Sequence, residues 1–262
     1  MSDRLRRALL VIFFCAAVLA LHGPAYAQPA RTLHLAAAAD LEPVLPPLLR
    51  QFQQQTGIRV EASYQSSAVL ATQILNGAPF DVFMAANMAF AQRVIDGGRG
   101  LTPHPIPYAR GTLVLWTRNG SGLTQLSLAS LNSSAVRTIA IANPQHAPYG
   151  RAAQQTLAHT GLLAAVKGKL VVAENIAQAA QYAASGNAQV GFLSLTSALT
   201  PRLRAAGHYV RVPQQDYAPL IQGVVAIKGA AHTKAAQQFL HFLTEPATRA
   251  ALARAGLEPP RT

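Results

Sequence analysis

A pair of serines at the start of a helix has the clearest chemical potential in this sequence. Ser66 and Ser67 follow a strand-like run, residues 58–64, and precede a helix-like run, residues 68–75. The first turn of a helix offers backbone N–H groups without intrahelical partners and the positive end of the helix dipole, and serine hydroxyls add neutral donors. Such a junction can bind an anion. The alternative is that one serine only caps its own helix, and spacing alone leaves both interpretations open.

Three further junctions of this kind occur where a strand-like run meets a helix-like run. They lie at Ala39 and Asp40, just before Tyr149, and at Ile176. Ligands of open α/β sheets bind at such junctions, so the four could converge in one cleft if two lobes face each other. Every α/β protein has junctions of this type, and spacing by itself does not single these out.

Apolar strand-like runs alternate with helix-like runs along the chain, which predicts an α/β fold with largely parallel sheets. Pro46 and Pro47 predict that the first regular helix starts late or kinks, because proline fits only the first helical turn. A change in composition after the proline-rich loop predicts a crossing into a second lobe at residues 111–218, with the first lobe formed by residues 28–110 and 219–262. The predicted strands are residues 32–38, 58–64, 80–85, 112–117, 138–142, 170–173, 189–193 and 220–227.

The first 27 residues have the features of a secretory leader. Three arginines precede the apolar run 8–21, and Ala25, Tyr26 and Ala27 supply the small-x-small pattern of a cleavage site. Residues 1–27 are therefore expected to be a signal peptide that sends the chain to the periplasm. The one cysteine, Cys15, lies inside this leader, so the mature chain is expected to have no disulfide and no thiol nucleophile.

Charge and motifs argue against several classes of function. The formal net charge is +12, but the basic residues are scattered, and no aromatic-interleaved basic run indicates nucleic-acid binding. No P-loop, dinucleotide fingerprint or Gly-x-Ser-x-Gly elbow is present, and the histidines lack metal-ligand spacing. We therefore expect a binding protein with no catalytic residues, no cofactor and no direct metal-ion ligands.

Six runs of residues, taken in order, resemble the periplasmic molybdate-binding component of ABC importers, and the resemblance covers essentially the whole mature chain. It implies a two-lobed type II periplasmic binding protein fold, each lobe a mostly parallel sheet flanked by helices, with the ligand cleft between the lobes. It also implies a monomer that captures molybdate and tungstate as oxyanions and delivers them to a membrane permease. The runs are AAAADL at 36–41, YQSS at 64–67, NGAPFDVF at 76–83, NPQHAPYG at 143–150, AENIAQ at 173–178 and GNAQVGF at 186–192.

The resemblance also assigns the ligand contacts by position. In the first lobe they are Ala39 and Asp40 at the first junction and Ser67 at the second. In the second lobe they are the backbone N–H groups of Tyr149 and Ile176. Uncharged hydroxyl and amide donors suit a dianion, since they replace its hydration shell without an arginine that would hold any anion.

Three positions depart from the family pattern. Asp40 stands where members usually have Ser, Thr or Asn, and a carboxylate directed at a dianion would repel it. The favoured interpretation is that Asp40 caps the following helix and turns its N–H to the ligand; in the alternative, a protonated carboxyl donates to the oxyanion. Ser194 occupies the place of a tyrosine donor of some members, so either it acts through water or the Tyr149 region compensates. Asn87 replaces an aspartate and is expected to be a helix cap.

Two rival functions stay open at this stage. A receptor for another tetrahedral oxyanion, such as sulfate or phosphate, would use the same kind of site, and partly protonated phosphate would want an acceptor that Asp40 could supply. A periplasmic enzyme on the same fold would use Ser67 or Tyr149. Turnover discriminates the last case, because a receptor is stabilised by its ligand and forms no product.

Overall fold

The computed structural model describes residues 32–123 and 125–260. The predicted signal peptide at residues 1–27 lies outside the described residues. In this part of the chain, no helix combines the length and the apolar character needed to cross a membrane.

Ten strands form two five-stranded sheets among the described residues. The first sheet has the order β2-β1-β3-β10-β4 and the second β7-β6-β8-β5-β9. The strands are β1 (Thr32–Ala38), β2 (Arg59–Gln65), β3 (Val82–Ala85), β4 (Ile106–Gly111), β5 (Leu113–Arg118), β6 (Ile139–Ala142), β7 (Leu170–Ala173), β8 (Val190–Ser194), β9 (Gly207–Arg211) and β10 (Leu220–Ala226).

Helices pack against both sheets. A single 3-10 turn, Ala39–Leu41, follows β1 directly and precedes the first α-helix. The α-helices of the described residues are α1 (Leu45–Thr56), α2 (Ser67–Leu75), α3 (Met88–Asp96), α4 (Pro148–His159), α5 (Leu163–Val166), α6 (Ile176–Ser185), α7 (Leu195–Ala198), α8 (Pro201–Ala206), α9 (Thr233–Thr244) and α10 (Pro246–Arg254).

The predicted two-lobed α/β fold is confirmed, but the sheets are mixed and not mostly parallel as expected. In each sheet two pairs of neighbouring strands run parallel and two run antiparallel. The chain passes from the first sheet to the second after Gly111 and returns between Arg211 and Leu220. The antiparallel pairs follow from these crossings, because β10 and β5 each enter a sheet from the other lobe.

The edge strands β4 and β9 were missed by the sequence analysis. Pro105 and Pro107 made the segment before Gly111 resemble a loop, yet β4 has only one neighbour, β10, and an edge strand tolerates a proline that donates no hydrogen bond. The late start of the first helix was predicted correctly, since Pro46 and Pro47 lie in the first turn of α1.

Aromatic side chains fill the core of each lobe. In the first lobe Phe52 of α1 packs edge-on against Phe239 of α9, with ring centroids 5.2 Å apart. In the second lobe Trp116 of β5 is fully buried, and its indole N–H donates to the carbonyl of Leu203 at 3.3 Å. These cores make each lobe a rigid support for the junctions at its inner edge.

Candidate functional site

A small cavity lies where the carboxyl ends of strands from both sheets face each other. Its volume is only about 10 Å³, far below the roughly 300 Å³ at which pockets for drug-sized ligands begin. The residues that line the cavity are Ala38, Ala39, Asp40, Gln65, Ser66, Ser67, Ala86, Ala147, Pro148, Tyr149, Asn175 and Ile176. All five residues that the sequence analysis proposed as contacts are in this lining, which contains no Lys, Arg or His.

The serine pair presents both of its hydroxyls at the cavity. Ser67 is fully buried, and its Oγ accepts a hydrogen bond from the Ala86 N–H at 3.0 Å, which leaves the hydroxyl hydrogen available to a ligand. Ser66 is the residue that precedes α2, but its side chain makes no capping hydrogen bond, and its buried Oγ has no partner in the protein. The capping interpretation of the pair is therefore wrong.

The second lobe contributes the first turns of α4 and α6. Pro148 opens α4, which places the Tyr149 N–H among the first-turn donors that lack an intrahelical partner. Asn175 caps α6 by accepting from the Gln178 N–H at 3.0 Å, so the Ile176 N–H is likewise a first-turn donor. The two helices direct the positive ends of their dipoles to the same cavity from one side.

The Asp40 carboxyl does not cap a helix, so the capping part of the favoured interpretation is wrong. Its Oδ2 accepts from the Tyr149 hydroxyl at 3.1 Å and from the Gln222 side-chain amide at 2.5 Å. Its Oδ1 is buried and has no partner in the protein. Asp40 lies within the 3-10 turn 39–41, whereas α1 begins only at Leu45, with Val44 at its N-cap position, so Asp40 does not stand at the start of that helix.

Gln222 and Tyr108 complete a buried network that the sequence analysis missed. The Tyr108 hydroxyl donates to Gln222 Oε1 at 2.5 Å, which orients the amide so that Nε2 faces Asp40. Both Gln222 and Asp40 are fully buried. A lone glutamine inside the apolar run 220–227 was the available signal, since a buried amide needs partners.

Burial dominates the electrostatics of this network. It raises the pKa of the Asp40 carboxyl from 3.8 to about 7, although the hydrogen bonds from Gln222 and Tyr149 act in the opposite direction. Burial, followed by the charge of Asp40, raises the pKa of Tyr149 well above 10, so this hydroxyl stays a donor.

Ser194 takes part in the site only indirectly. The Thr196 hydroxyl donates to the Asp40 carbonyl at 2.7 Å, and its Oγ1 lies 2.8 Å from the Oγ of Ser194. Ser194 Oγ also accepts from the Ser197 N–H at 3.2 Å and caps α7. Neither Ser194 nor Thr196 lines the cavity.

Direct contacts between the lobes enclose the cavity. The Ala68 N–H donates to the His146 carbonyl at 3.1 Å, and the Asn175 side-chain amide donates to Gln65 Oε1 at 3.4 Å. Together with the Tyr149 to Asp40 bond, these contacts describe a closed cleft. Asn87 lies outside it and caps α3 through the Phe90 N–H at 3.1 Å, as expected.

Metal-ion binding by side chains finds no support in the described ranges. Residues 32–123 and 125–260 contain no cluster of three or more His, Cys, Asp or Glu side chains that could hold an ion.

Comparison with known proteins identifies the architecture. The model of the bacterial extracellular solute-binding protein family matches residues 33–258. The chain belongs to this family. It is a solute-binding protein, which confirms the expectation that it is not an enzyme.

Two relatives of this solute-binding protein are known as molybdate-binding protein ModA. The one from Azotobacter vinelandii is 36% identical over 222 residues, which cover 85% of this chain and 88% of the relative. The one from Rhodobacter capsulatus is 33% identical, over 74% of this chain and 75% of the relative. The solved structure of the Azotobacter vinelandii periplasmic molybdate-binding protein superposes with a TM-score of 0.82 at 34% identity, covering 87% of this chain and 100% of that one.

Proposed function

We propose that this chain is the periplasmic receptor of an ABC importer and captures molybdate, and also tungstate, as tetrahedral oxyanions. The observation that carries the proposal is the small cavity between the lobes, which two serines and two helix N-termini line without a cationic side chain. Neutral, fixed donors of this kind bind a fully ionised oxyanion by hydrogen bonds alone. The identity to the Azotobacter vinelandii protein over most of both chains supports molybdate as the anion.

We propose that the permease recognises the closed form of the cleft. In the closed form both lobes supply donors, and contacts such as Ala68 to His146 join them. An anion that binds both lobes stabilises this form over an open one by its differential affinity. The proposed receptor works as a monomer, since each chain holds both halves of its site.

A melting panel on the mature protein tests the proposed ligand. Molybdate and tungstate are expected to raise the melting temperature, while sulfate and phosphate at the same concentration are not. A ligand at about one hundred times its dissociation constant stabilises the folded state by about 2.7 kcal/mol, which a melting experiment readily detects. A shift with sulfate or phosphate alone would show that this anion, and not molybdate, is the ligand. Formation of a product would show that the protein is an enzyme and not a receptor.

A further inference from the structure

The Asp40 carboxyl has an asymmetric set of hydrogen bonds. Both side chains that donate to it, Tyr149 and Gln222, contact Oδ2, whereas no side chain donates to the equally buried Oδ1. A carboxylate spreads its charge over two oxygens and seeks donors for both. A carboxylic acid has one carbonyl oxygen that accepts and one hydroxyl that donates. The arrangement fits the acid, with Oδ2 as the carbonyl oxygen and Oδ1 as the hydroxyl.

We propose that Asp40 takes part in the binding site as a neutral carboxylic acid that carries its hydrogen on Oδ1, so that capture of a tetrahedral dianion takes up one proton from solvent. This inference rests on the proposed function, because it requires a dianionic ligand. The proton neutralises the one acidic side chain in the lining and turns an acceptor into a donor. Asp40 thereby becomes a specificity-determining residue that favours fully ionised oxyanions.

Electrostatics at the cavity makes the ionised form costly. Asp40 is fully buried beside the space that a dianion would occupy, and in such surroundings like charges repel strongly. No Lys or Arg among the described residues donates to the Asp40 carboxyl. Burial already raises the pKa of Asp40 to about 7 without the anion, and a bound dianion raises it further.

Groups on the neighbouring elements supply no counter-charge to Asp40. Glu61 of β2 pairs with Arg59, and Arg110 of β4 pairs with Glu258. The guanidinium of Arg151 in α4 lies over the Phe90 ring, 5.9 Å from its centroid. Glu42, two residues after Asp40, is itself acidic. The remaining titratable groups near the site bring no positive side chain to Asp40. They are Tyr108, Tyr149 and Tyr217, all with a raised pKa, Tyr64 of β2, Tyr182 of α6, Glu174 next to Asn175, and His146, whose carbonyl forms an interlobe bond.

The expected pH dependence follows from linkage. If the bound form holds a proton that the free form releases, affinity falls as pH rises through the pKa of the free form. For Asp40 that fall begins near the value of about 7. A single coupled proton lowers affinity by at most about tenfold per pH unit. Below this range Asp40 is protonated in both forms and the affinity is flat.

Calorimetric titration of the mature protein with sodium molybdate tests the proposal. The wild-type protein is titrated at pH values from about 6.5 to about 9, a range in which molybdate itself stays a dianion. Each titration is repeated in two buffers of different ionisation enthalpy, because the difference in measured heat gives the number of protons taken up. In wild type the affinity is expected to fall above neutral pH, with an uptake that approaches one proton per anion bound.

Two variants identify the titrating group. Asp40→Asn has a carbonyl for the two donors and an amide N–H in place of the acid hydroxyl, so its binding is expected to be flat with pH, without proton uptake, and tighter than wild type at the alkaline end. His146→Gln is the matched control, because histidine ordinarily titrates near neutral pH; it is expected to keep the wild-type pH dependence.

Three outcomes would overturn the inference. They are molybdate binding by wild type without proton uptake, an unchanged pH slope in Asp40→Asn, and loss of binding in a folded Asp40→Asn at every pH, which would show that the carboxylate is needed as an acceptor. Should Asp40→Asn fail to fold, the proton uptake of wild type decides alone. Absence of molybdate binding by wild type at every pH would instead reject the proposed function, and the inference with it.

Discussion

The hydroxyl of Tyr149 donates to Oδ2 of Asp40 at 3.1 Å and joins the second lobe to the first through two buried side chains. The same residue supplies a first-turn N–H at the cavity, so one side chain links closure of the lobes to the ligand site. Gly111, where the chain leaves the first sheet, has no room for a Cβ, because that atom would overlap the Tyr149 hydroxyl. Glycine at this position therefore lets the hydroxyl reach Asp40.

Tyr149→Phe is expected to weaken molybdate binding while the backbone donor remains. The loss of one buried neutral hydrogen bond corresponds to about 1 kcal/mol, or about fivefold in the dissociation constant. Because the Tyr149 bond lowers the pKa of Asp40, its removal also moves the onset of the pH dependence upward. Titration calorimetry measures both effects. Tyr182→Phe, at a half-buried tyrosine of α6, is the control, and equal losses in the two variants would contradict the prediction.

Ser66→Ala and Ser67→Ala are expected to separate ligand binding from folding. Ser66 Oγ has no protein partner, so its removal leaves the free energy of unfolding of the unliganded protein unchanged or higher. Ser67→Ala lowers that free energy, because it leaves the buried Ala86 N–H without an acceptor. Both variants are expected to lose about 1.5–3 kcal/mol of molybdate affinity, the range for a hydrogen bond to a charged group.

Urea unfolding without ligand and calorimetry with molybdate measure the two quantities for each serine variant. Ser185→Ala, at the far end of α6, is the control for affinity. Wild-type affinity in Ser66→Ala would show that Ser66 does not contact the ligand. A lower free energy of unfolding in this variant would show that Ser66 caps its helix.

Glu258→Gln is expected to lower the melting temperature in a pH-dependent manner. Glu258 pairs with Arg110 of the first sheet and, at 3.1 Å, with Arg211 of the second. Although burial acts to raise its pKa, the two arginines outweigh burial and hold that pKa below 4.5. A lowered carboxyl pKa stabilises the folded state above the ordinary value and loses this effect as pH falls through the lowered one. The difference from wild type should thus be full near neutral pH and vanish in acid.

Melting curves at several pH values check this prediction. Glu174→Gln, at an exposed glutamate without an ion pair among the described contacts, serves as the control. A difference between wild type and Glu258→Gln that persists unchanged into acid would show that the bridge contributes packing and not charge.

Gly150→Ala is expected to reduce both stability and molybdate affinity. A Cβ at Gly150 would overlap the carbonyl oxygen of Ala142, so the start of α4 would have to move away from β6 and carry the Tyr149 N–H with it. Gly168→Ala is the matched control, since a Cβ there meets no atom within 4 Å. Melting and calorimetry measure the two effects, and a Gly150→Ala protein like Gly168→Ala in both would contradict this account.

The sequence by itself determined the alternation of elements and the junctions of the cavity. Periodicity predicted the α/β fold, because helices and buried strands have different apolar repeats, and the change in composition and the family resemblance predicted the two lobes. Prolines placed the start of α1, and the resemblance selected Ala39, Asp40, Ser67, Tyr149 and Ile176, all of which line one cavity. Their roles as ligand contacts stay a prediction. The edge strand β4 escaped detection because Pro105 and Pro107 made its segment resemble a loop, and β9 because none of its residues is fully buried.

Only the tertiary structure decided the state of Asp40. Local sequence favours an acidic residue before a helix as a cap. The outcome depended instead on Tyr149, 109 positions away, and Gln222, 182 positions away, which reach the same carboxyl oxygen. Hydrogen bonds between residues so distant in the chain have no local pattern, and the burial that raises the pKa of Asp40 exists only after both lobes close over it.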